Sequence, residues 1–440
     1  MPLGYFELSV YMKNLDTLKK KIIFTLLVIV VYRLGSHIPL PTVDMAKLGE
    51  MAKIAKSGIF SMFNTFSGGA ISRASIFALG IAPYITSSII MQLLVASYPT
   101  LKRIKKEGGE QGAAKITQYT RYLTVFIAFF QGFSIATGLV AIDVIPSSGD
   151  VFSAKLLTAF VITVSTLIVM WMGDQITSHG IGNGSSVIIF AGIVSEAPRD
   201  LANVFTSIKT GSLTPMDGLG LFIMFGLTCL LVSFCERSFR MIYIQYPRQN
   251  YHQFMAKQQQ AQQNQFIPLK INTAGVIPPI FASALLLLPT TIISMFADST
   301  NEIAQMIVRN FNHGKPAFVI ADVILILFFS YFYNTSLFET DDLVNGLRRN
   351  GAFIPGVRPG DQTSEYLKKT LKYLSFIGGG YLVVICGIPE LMSSKYGYSF
   401  LLGGTGLLIV FSVINDVVVQ FQTHMMSSKY EKAMKKYNQR

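Results

Sequence analysis

Apolar residues in this chain gather into ten runs, at 22–39, 74–97, 122–142, 156–172, 183–198, 218–235, 273–296, 316–338, 373–392 and 399–421. Most hold the roughly 17–25 residues with which a helix crosses the hydrocarbon core of a bilayer. The pattern therefore predicts an all-α membrane protein of ten transmembrane helices. The fifth run is short and flanked by glycine. Almost no run carries an ionisable residue near its middle: Arg33 and Asp322 lie toward one end of theirs, Glu390 at an edge and Asp416 toward the other end. Ten spans divide into five and five, and an odd number per half makes the two halves enter the membrane in opposite directions, the arrangement of inverted repeats around a central pathway. The expected division is 1–198 for the first half, 199–421 for the second, and 422–440 for a tail.

Composition sharpens this reading. With 51% hydrophobic and only 14% charged residues, an ordinary water-soluble domain is excluded. Basic loops stay on the cytoplasmic side of a membrane. If the N-terminus is inside, the six inner segments (1–21, 98–121, 173–182, 236–272, 339–372 and 422–440) hold 26 of the 37 Lys and Arg residues. Both termini are thus expected in the cytoplasm. The net charge of +13 also suits anionic headgroups or an acidic partner on that face. No small-residue cleavage site follows the first apolar run, so insertion is expected from the spans themselves. Cys229, Cys235 and Cys386 lie in or beside apolar runs without CxxC spacing, as small buried hydrophobes do.

The charge-poor interior separates the functional classes. A proton- or sodium-coupled transporter needs carboxylates or polar unwound helices near the midplane. An enzyme needs a reactive constellation, yet the five histidines form no HExxH, and neither GxSxG nor GxxxxGK[ST] occurs. A channel worked by energy supplied elsewhere is the first reading. A small-solute transporter is the runner-up, and a membrane-embedded enzyme the third.

Four segments carry a resemblance: Phe66-Ser67-Gly68-Gly69-Ala70 running into Ser72 through Gly80, the loop Gly180-Ile181-Gly182-Asn183-Gly184-Ser185-Ser186, Asn272 through Ala282 with Gly275 and Pro278-Pro279, and Gly351 through Gly360. Together they closely resemble the SecY family, the channel subunits of bacterial protein translocases, and the likeness extends from about residue 10 to Met425-Met426-Ser427-Ser428 near the C-terminus. The resemblance implies a clamshell of two halves around an hourglass pore, with no catalytic site and no cofactor. A ring of aliphatic side chains would close the waist, at Ile85, Ile89, Ile189, Ile193, Ile280 and Ile409. The residues lend partial support, since 85/89 and 189/193 are i,i+4 pairs and project from one helix face. On pattern alone these isoleucines read as ordinary core or lipid-facing residues. The resemblance also implies a plug at about 60–72, with Phe63, Asn64, Phe66, Gly68 and Gly69; on pattern alone the segment reads equally as an extracellular or re-entrant loop.

A lateral gate is implied between spans two and three on one side and seven and eight on the other. Thr86, Ser87, Ser88 and Gln131 would supply polar groups near that seam, and Pro278 and Pro279 would interrupt the start of span seven. Hydrogen bonds across membrane helices average roughly 0.6 kcal/mol, which suits a seam that reopens; the alternative is that each hydroxyl bonds back onto its own helix. The two long inner loops would dock the ribosome and the SecA motor ATPase through Arg240, Arg248, Arg348, Arg349 and Arg358. Where the family usually carries Arg-Arg-Ile-Pro-Val-Gln-Tyr-Ala-Lys-Arg, this chain has Arg240-Met241-Ile242-Tyr243-Ile244-Gln245-Tyr246-Pro247-Arg248-Gln249, followed by a Gln-rich tract at 258–265. Two usual charges are thus replaced, by Met241 and Gln249. The other implied partners are SecE-like and SecG-like subunits, signal-bearing preproteins and membrane lipids, at the cytoplasmic membrane.

Overall fold

The computed structural model describes residues 3–44, 47, 64, 67–141, 144–145, 150–211, 214–245, 266–272, 274–296, 316–337, 340–396 and 404–438. Twelve helices and one hairpin follow in order: α1 (Leu3–Gly35), α2 (Ala82–Ser97), α3 (Pro99–Glu107), α4 (Gly109–Ala141), α5 (Val151–His179), α6 (Gly184–Lys209), α7 (Pro215–Arg237), β1 (Phe239–Tyr243), β2 (Phe266–Lys270), α8 (Ile277–Phe296), α9 (Pro316–Leu337), α10 (Thr340–Arg349), α11 (Asp361–Tyr396) and α12 (Gly404–Asn438). Each of the ten apolar runs contributes a helix over at least part of its length among the described residues. Six of these, among the described residues, are long and apolar enough to cross a membrane by length and composition alone.

Local chemistry sets several boundaries. At the start of α6, Asn183 accepts the Ser185 N–H at 3.2 Å and the Ser185 hydroxyl at 2.7 Å, satisfying a donor that the first turn leaves free. At the start of α7, the Thr214 hydroxyl accepts the Asp217 N–H at 3.2 Å and donates to its carboxylate at 2.6 Å, with Pro215 in the first position. Pro278 and Pro279 stand in the first turn of α8, where a missing N–H leaves nothing unpaired. They start the helix rather than interrupt it, which corrects the expectation. The fifth run likewise becomes a longer helix than its apolar stretch, passing through Pro198 to Lys209. The second run gives helix only from Ala82; residues 67–81 are a chain of turns, tied by a bridge between Pro39 and Ser75.

In the first half α4 packs along α5, with α2 against α4 and α6 against α5. In the second half α9 lies between α8 and α11, and α12 follows α11. The halves meet along two edges. On one, α8 rests against α2 and α4; on the other, α12 packs on α6 and α1, and α6 touches α7. The outer surface is apolar: Phe376 is 77% exposed and Phe234 75%. Such a surface matches hydrocarbon and not water.

Candidate functional site: constriction, inner block and seam

Ile85 and Ile89 come from α2, Ile189 and Ile193 from α6, Ile280 from α8 and Ile409 from α12. Ile189, Ile193 and Ile409 are buried in one apolar cluster with Val187 and Val413, against which Ile85, Ile280, Val276 and Val410 pack. Ile89 lies in the adjoining cluster, with Phe281, Ile326 and Leu408, and Ile85 and Val276 touch both. Five of the six isoleucines thus share one cluster, and the sixth joins it through Ile85. Residues of both halves contribute. Val276, Val410 and Val413 belong to the same wall but carry no sequence signal apart from sitting one turn from an isoleucine. The wall offers no hydrogen-bond partner, so a water placed among these side chains is unsupported and ions lose their hydration.

Against this wall sits the block of turns at 67–81. Ser67, Ala70, Ile71 and Ala74 are almost wholly buried. Ile71, Ala74, Ala78 and Leu79 pack with Leu40, Ile135, Leu139, Val144, Ile145 and Ile162. Asn64 ties the segment: its carbonyl accepts the Gly69 N–H at 2.8 Å and its side-chain oxygen the Ser72 N–H at 2.9 Å. Gly68 and Gly69 have φ of 64° and 78°, a region closed to other residues at low energy. They also lie hard against α6. A Cβ on Gly68 would stand 2.7 Å from the Gly192 backbone, and one on Gly69 would meet the Glu196 carboxylate. Phe63 and Phe66 lie outside the described residues.

A charged group missed by the sequence reading clasps this block. The Gly68 carbonyl accepts from Arg33 at 3.1 Å and from Arg73 at 2.5 Å. Arg73 reaches Glu196 at 3.5 Å, and Arg199 lies 3.8 Å from the same carboxylate. Glu196 lies inside the fifth run, three residues from Arg199, and that spacing was the available signal.

At the seam, the expected cross-helix bonds are not made. Thr86 and Ser87 donate to the carbonyls of Ala82 and Pro83, four residues back, at 3.1 and 2.7 Å. Ser88 accepts from Gln92 on the same helix at 3.3 Å. The i−4 carbonyl is always within reach of a helical hydroxyl, whereas a partner across the seam needs matched register. Gln131 is buried in α4, and its side-chain oxygen has no hydrogen-bond partner among the described residues. The seam is bridged at its loop end by Lys106 of α3 and Asp342 of α10, 3.4 Å apart.

The two long loops form one platform. β1 and β2 pair antiparallel, Phe239 opposite Lys270 and Tyr243 opposite Phe266. Gln245 and Phe353 then exchange backbone hydrogen bonds of 2.8 and 2.9 Å, joining the first loop to the second. Ile242, Leu269, Val344, Ile354, Leu367 and Leu371 fill the space between them. Arg240, Arg348, Arg349 and Arg358 are all exposed on this platform, while Arg248 lies outside the described residues. Asp341 accepts from Ser364 at 2.7 Å and Lys368 at 3.1 Å. Those hydrogen bonds, then the charge of Lys368, hold its carboxyl below the usual range.

Comparison with known proteins gives a consistent result. Residues 75–418 match the SecY family model. The chain is 43% identical to protein translocase subunit SecY of Rickettsia felis over 429 residues, 96% of this chain and 97% of that one. It is also 43% identical to the same subunit of Escherichia coli strain K12, over 97% of this chain and 96% of its relative. Among solved structures, a protein conducting channel superposes with a TM-score of 0.66 at 18% identity, covering 93% of each chain. Sec61 in the canine ribosome–channel complex from the endoplasmic reticulum gives 0.64, also at 18% identity and 93% of each chain. These structures share the fold: ten helices in two inverted halves, a clamshell around a central pore.

Proposed function

This chain belongs to the SecY family, and from that premise we propose which of its parts serve which step of protein conduction. It is a protein-conducting channel, a multi-pass membrane protein that passes unfolded secretory proteins across the bilayer and releases hydrophobic segments sideways into it. SecA or the ribosome supplies the energy, and SecE-like and SecG-like subunits complete the assembly. The chain has no catalytic site of its own. It lies in the cytoplasmic membrane with both termini in the cytoplasm, a reading supported by the 26 basic residues of the inner segments. Its halves are 1–198 and 199–421, followed by the tail.

The observation that carries the assignment is the clustering of isoleucines from α2, α6, α8 and α12, drawn from both halves, against Phe77 and Ile81 of the buried block at 67–81. The isoleucine ring excludes water and ions without holding the passenger, because aliphatic groups form no hydrogen bonds with a peptide. The block around Gly68 and Gly69 is the plug, and it leaves when a chain enters. The edge between α2/α4 and α8/α9 is the lateral gate. Arg240, Arg348, Arg349 and Arg358, with Arg248, form the docking face, where ribosomal phosphate meets exposed guanidinium groups.

The test is a disulfide crosslink between Ile280→Cys and a single cysteine placed along a stalled, signal-bearing preprotein, with Cys229, Cys235 and Cys386 replaced. Crosslinks are expected only with signal and motor or ribosome present. If the preprotein is engaged and no passenger position ever reacts, the isoleucine ring is not the path.

A further inference from the structure

The turn that carries Arg358 is pinned on both sides of that residue. Before it, Gly356 bends the chain at φ 83°, and the Val357 N–H donates to the Ile354 carbonyl at 3.2 Å. Ile354 is buried with Ile242, Leu269, Leu367 and Leu371, and Val357 packs against the same cluster. After it come Pro359, whose ring fixes φ, and Gly360 at φ 111°. The Gly360 carbonyl accepts the N–H groups of Thr363 and Ser364 at 3.0 and 3.2 Å, where α11 opens. Arg358 itself is exposed, and its guanidinium makes no hydrogen bond or ion pair among the described residues.

One side chain closes this turn. Thr363, in the first turn of α11, donates its hydroxyl to the Arg358 carbonyl at 2.8 Å and is only 3% exposed. A helical threonine ordinarily bonds the carbonyl three or four residues back, as Thr370 does with Tyr366 at 2.9 Å. The Thr363 hydroxyl reaches five residues back, out of the helix. Gly360 has no side chain with which to tie the turn to α11, so the threonine does so from inside the helix. An arginine on a loose backbone must order that backbone when it binds, which weakens binding. Here the chain on either side of Arg358 is fixed beforehand, and only the side chain remains to be ordered.

We propose that Thr363 is the positioning residue for Arg358: its buried hydroxyl holds the turn so that the guanidinium is presented to ribosomal phosphate, while Thr363 itself stays out of contact. The inference rests on the docking face proposed above. Arg348 and Arg349 need no such tie, because they stand in the last turn of α10.

The test uses the full chain with its partner subunits in nanodiscs, and non-translating ribosomes as the probe. Thr363→Val keeps the shape and removes the donor; Thr363→Ser keeps the donor. Binding about fivefold weaker is expected for the valine and wild-type affinity for the serine. Arg358→Ala should weaken binding at least as much and flatten the dependence of affinity on salt, since one phosphate contact is lost. Thr363→Val should flatten it in the same direction, and added to Arg358→Ala it should weaken binding no further. An unchanged salt dependence in the valine variant, or a full additional loss in the double variant, overturns the positioning role. Wild-type affinity of Thr363→Val beside a weakened Arg358→Ala overturns it too and leaves the docking face standing. Wild-type affinity of Arg358→Ala overturns the docking face, and the inference with it. Should the valine variant fail to fold, Thr363→Cys replaces it, its thiol being a weak donor; affinity equal to that of the serine variant would then overturn the role.

Discussion

The two edges along which the halves meet are built differently. Where α12 packs on α6, contact is close and apolar: Ile193 and Ile409 are buried in one cluster, each 1% exposed. The Gln420 side chain accepts the Gly182 N–H at 2.8 Å, fastening the loop before α6 to α12. Where α8 meets α2 and α4, the hydroxyls are spent on their own helix, a cavity opens at one end, and an exposed ion pair spans the mouth. An edge that must hold is packed and hydrogen-bonded across its join. The edge proposed to open keeps the Thr86 and Ser87 hydroxyls satisfied whether or not the other half is present.

The largest expected effect lies where the block at 67–81 leans on the closed edge. Gly69→Val imposes a β-branched residue at φ 78° and drives its side chain into Glu196. Backbone strain of about 1–3 kcal/mol in that region adds to the collision with Glu196, so resting ion conductance in planar bilayers should rise about tenfold or more, the largest rise in conductance among these variants. Wild-type conductance in this variant would mean the block does not seal the channel.

Next comes the ring. Ile193→Ala, at a site 1% exposed, should destabilise the folded channel by about 2–5 kcal/mol. Thermal unfolding in detergent should register this loss. Ile89→Ala should perturb conductance less than Ile193→Ala, because Ile89 packs in the adjoining cluster. Equal leaks would mean that all six side chains close the waist together.

The seam should respond weakly. Lys106→Glu replaces an exposed attraction with repulsion, a change of about 0.2–1 kcal/mol. Crosslinking between cysteines at 88 and 277 should fall slightly, and Lys106→Glu/Asp342→Lys should restore it. A loss as large as that for Gly69→Val would show that the mouth, not the inner block, governs closure.

The smallest effect is a titration. Because the Asp341 carboxyl is held below its usual range, its contribution to platform stability is complete above the unfolded carboxylate pKa and lost as pH falls through the folded value. The carboxyl carbon NMR shift should titrate below the usual aspartate range. Lys368→Gln should move that transition upward.

Much of this molecule was legible in the chain. The ten runs mark the ten helices because a lipid-facing helix must be apolar over its whole span, whatever its neighbours are. The four Gly-rich segments carried the family resemblance, and tight backbone approach leaves a mark in residue type: Gly68 and Gly69 are glycine for reasons visible at single positions. Other features left no such mark. Within the run 74–97 only Gly80 and Pro83 mark where the turns give way to the helix that begins at Ala82, since both stretches are apolar. Thr86 and Ser87 have the right chemistry for the seam, yet which carbonyl each meets depends on the spacing of its neighbours. The hairpin at 239–270 is absent from a reading of composition, because its pairing spans a polar segment of low periodicity.

The sequence by itself determined the solvent of this protein and the apolar runs that cross it, since transfer free energies add residue by residue. Only the tertiary structure decided that Arg33, Arg73 and Glu196 converge on one glycine pair, that five isoleucines share one cluster which the sixth joins through Ile85, and that Lys106 meets Asp342 across the seam. Those are pairwise facts between distant positions, fixed by how helices pack and not by what any one helix contains.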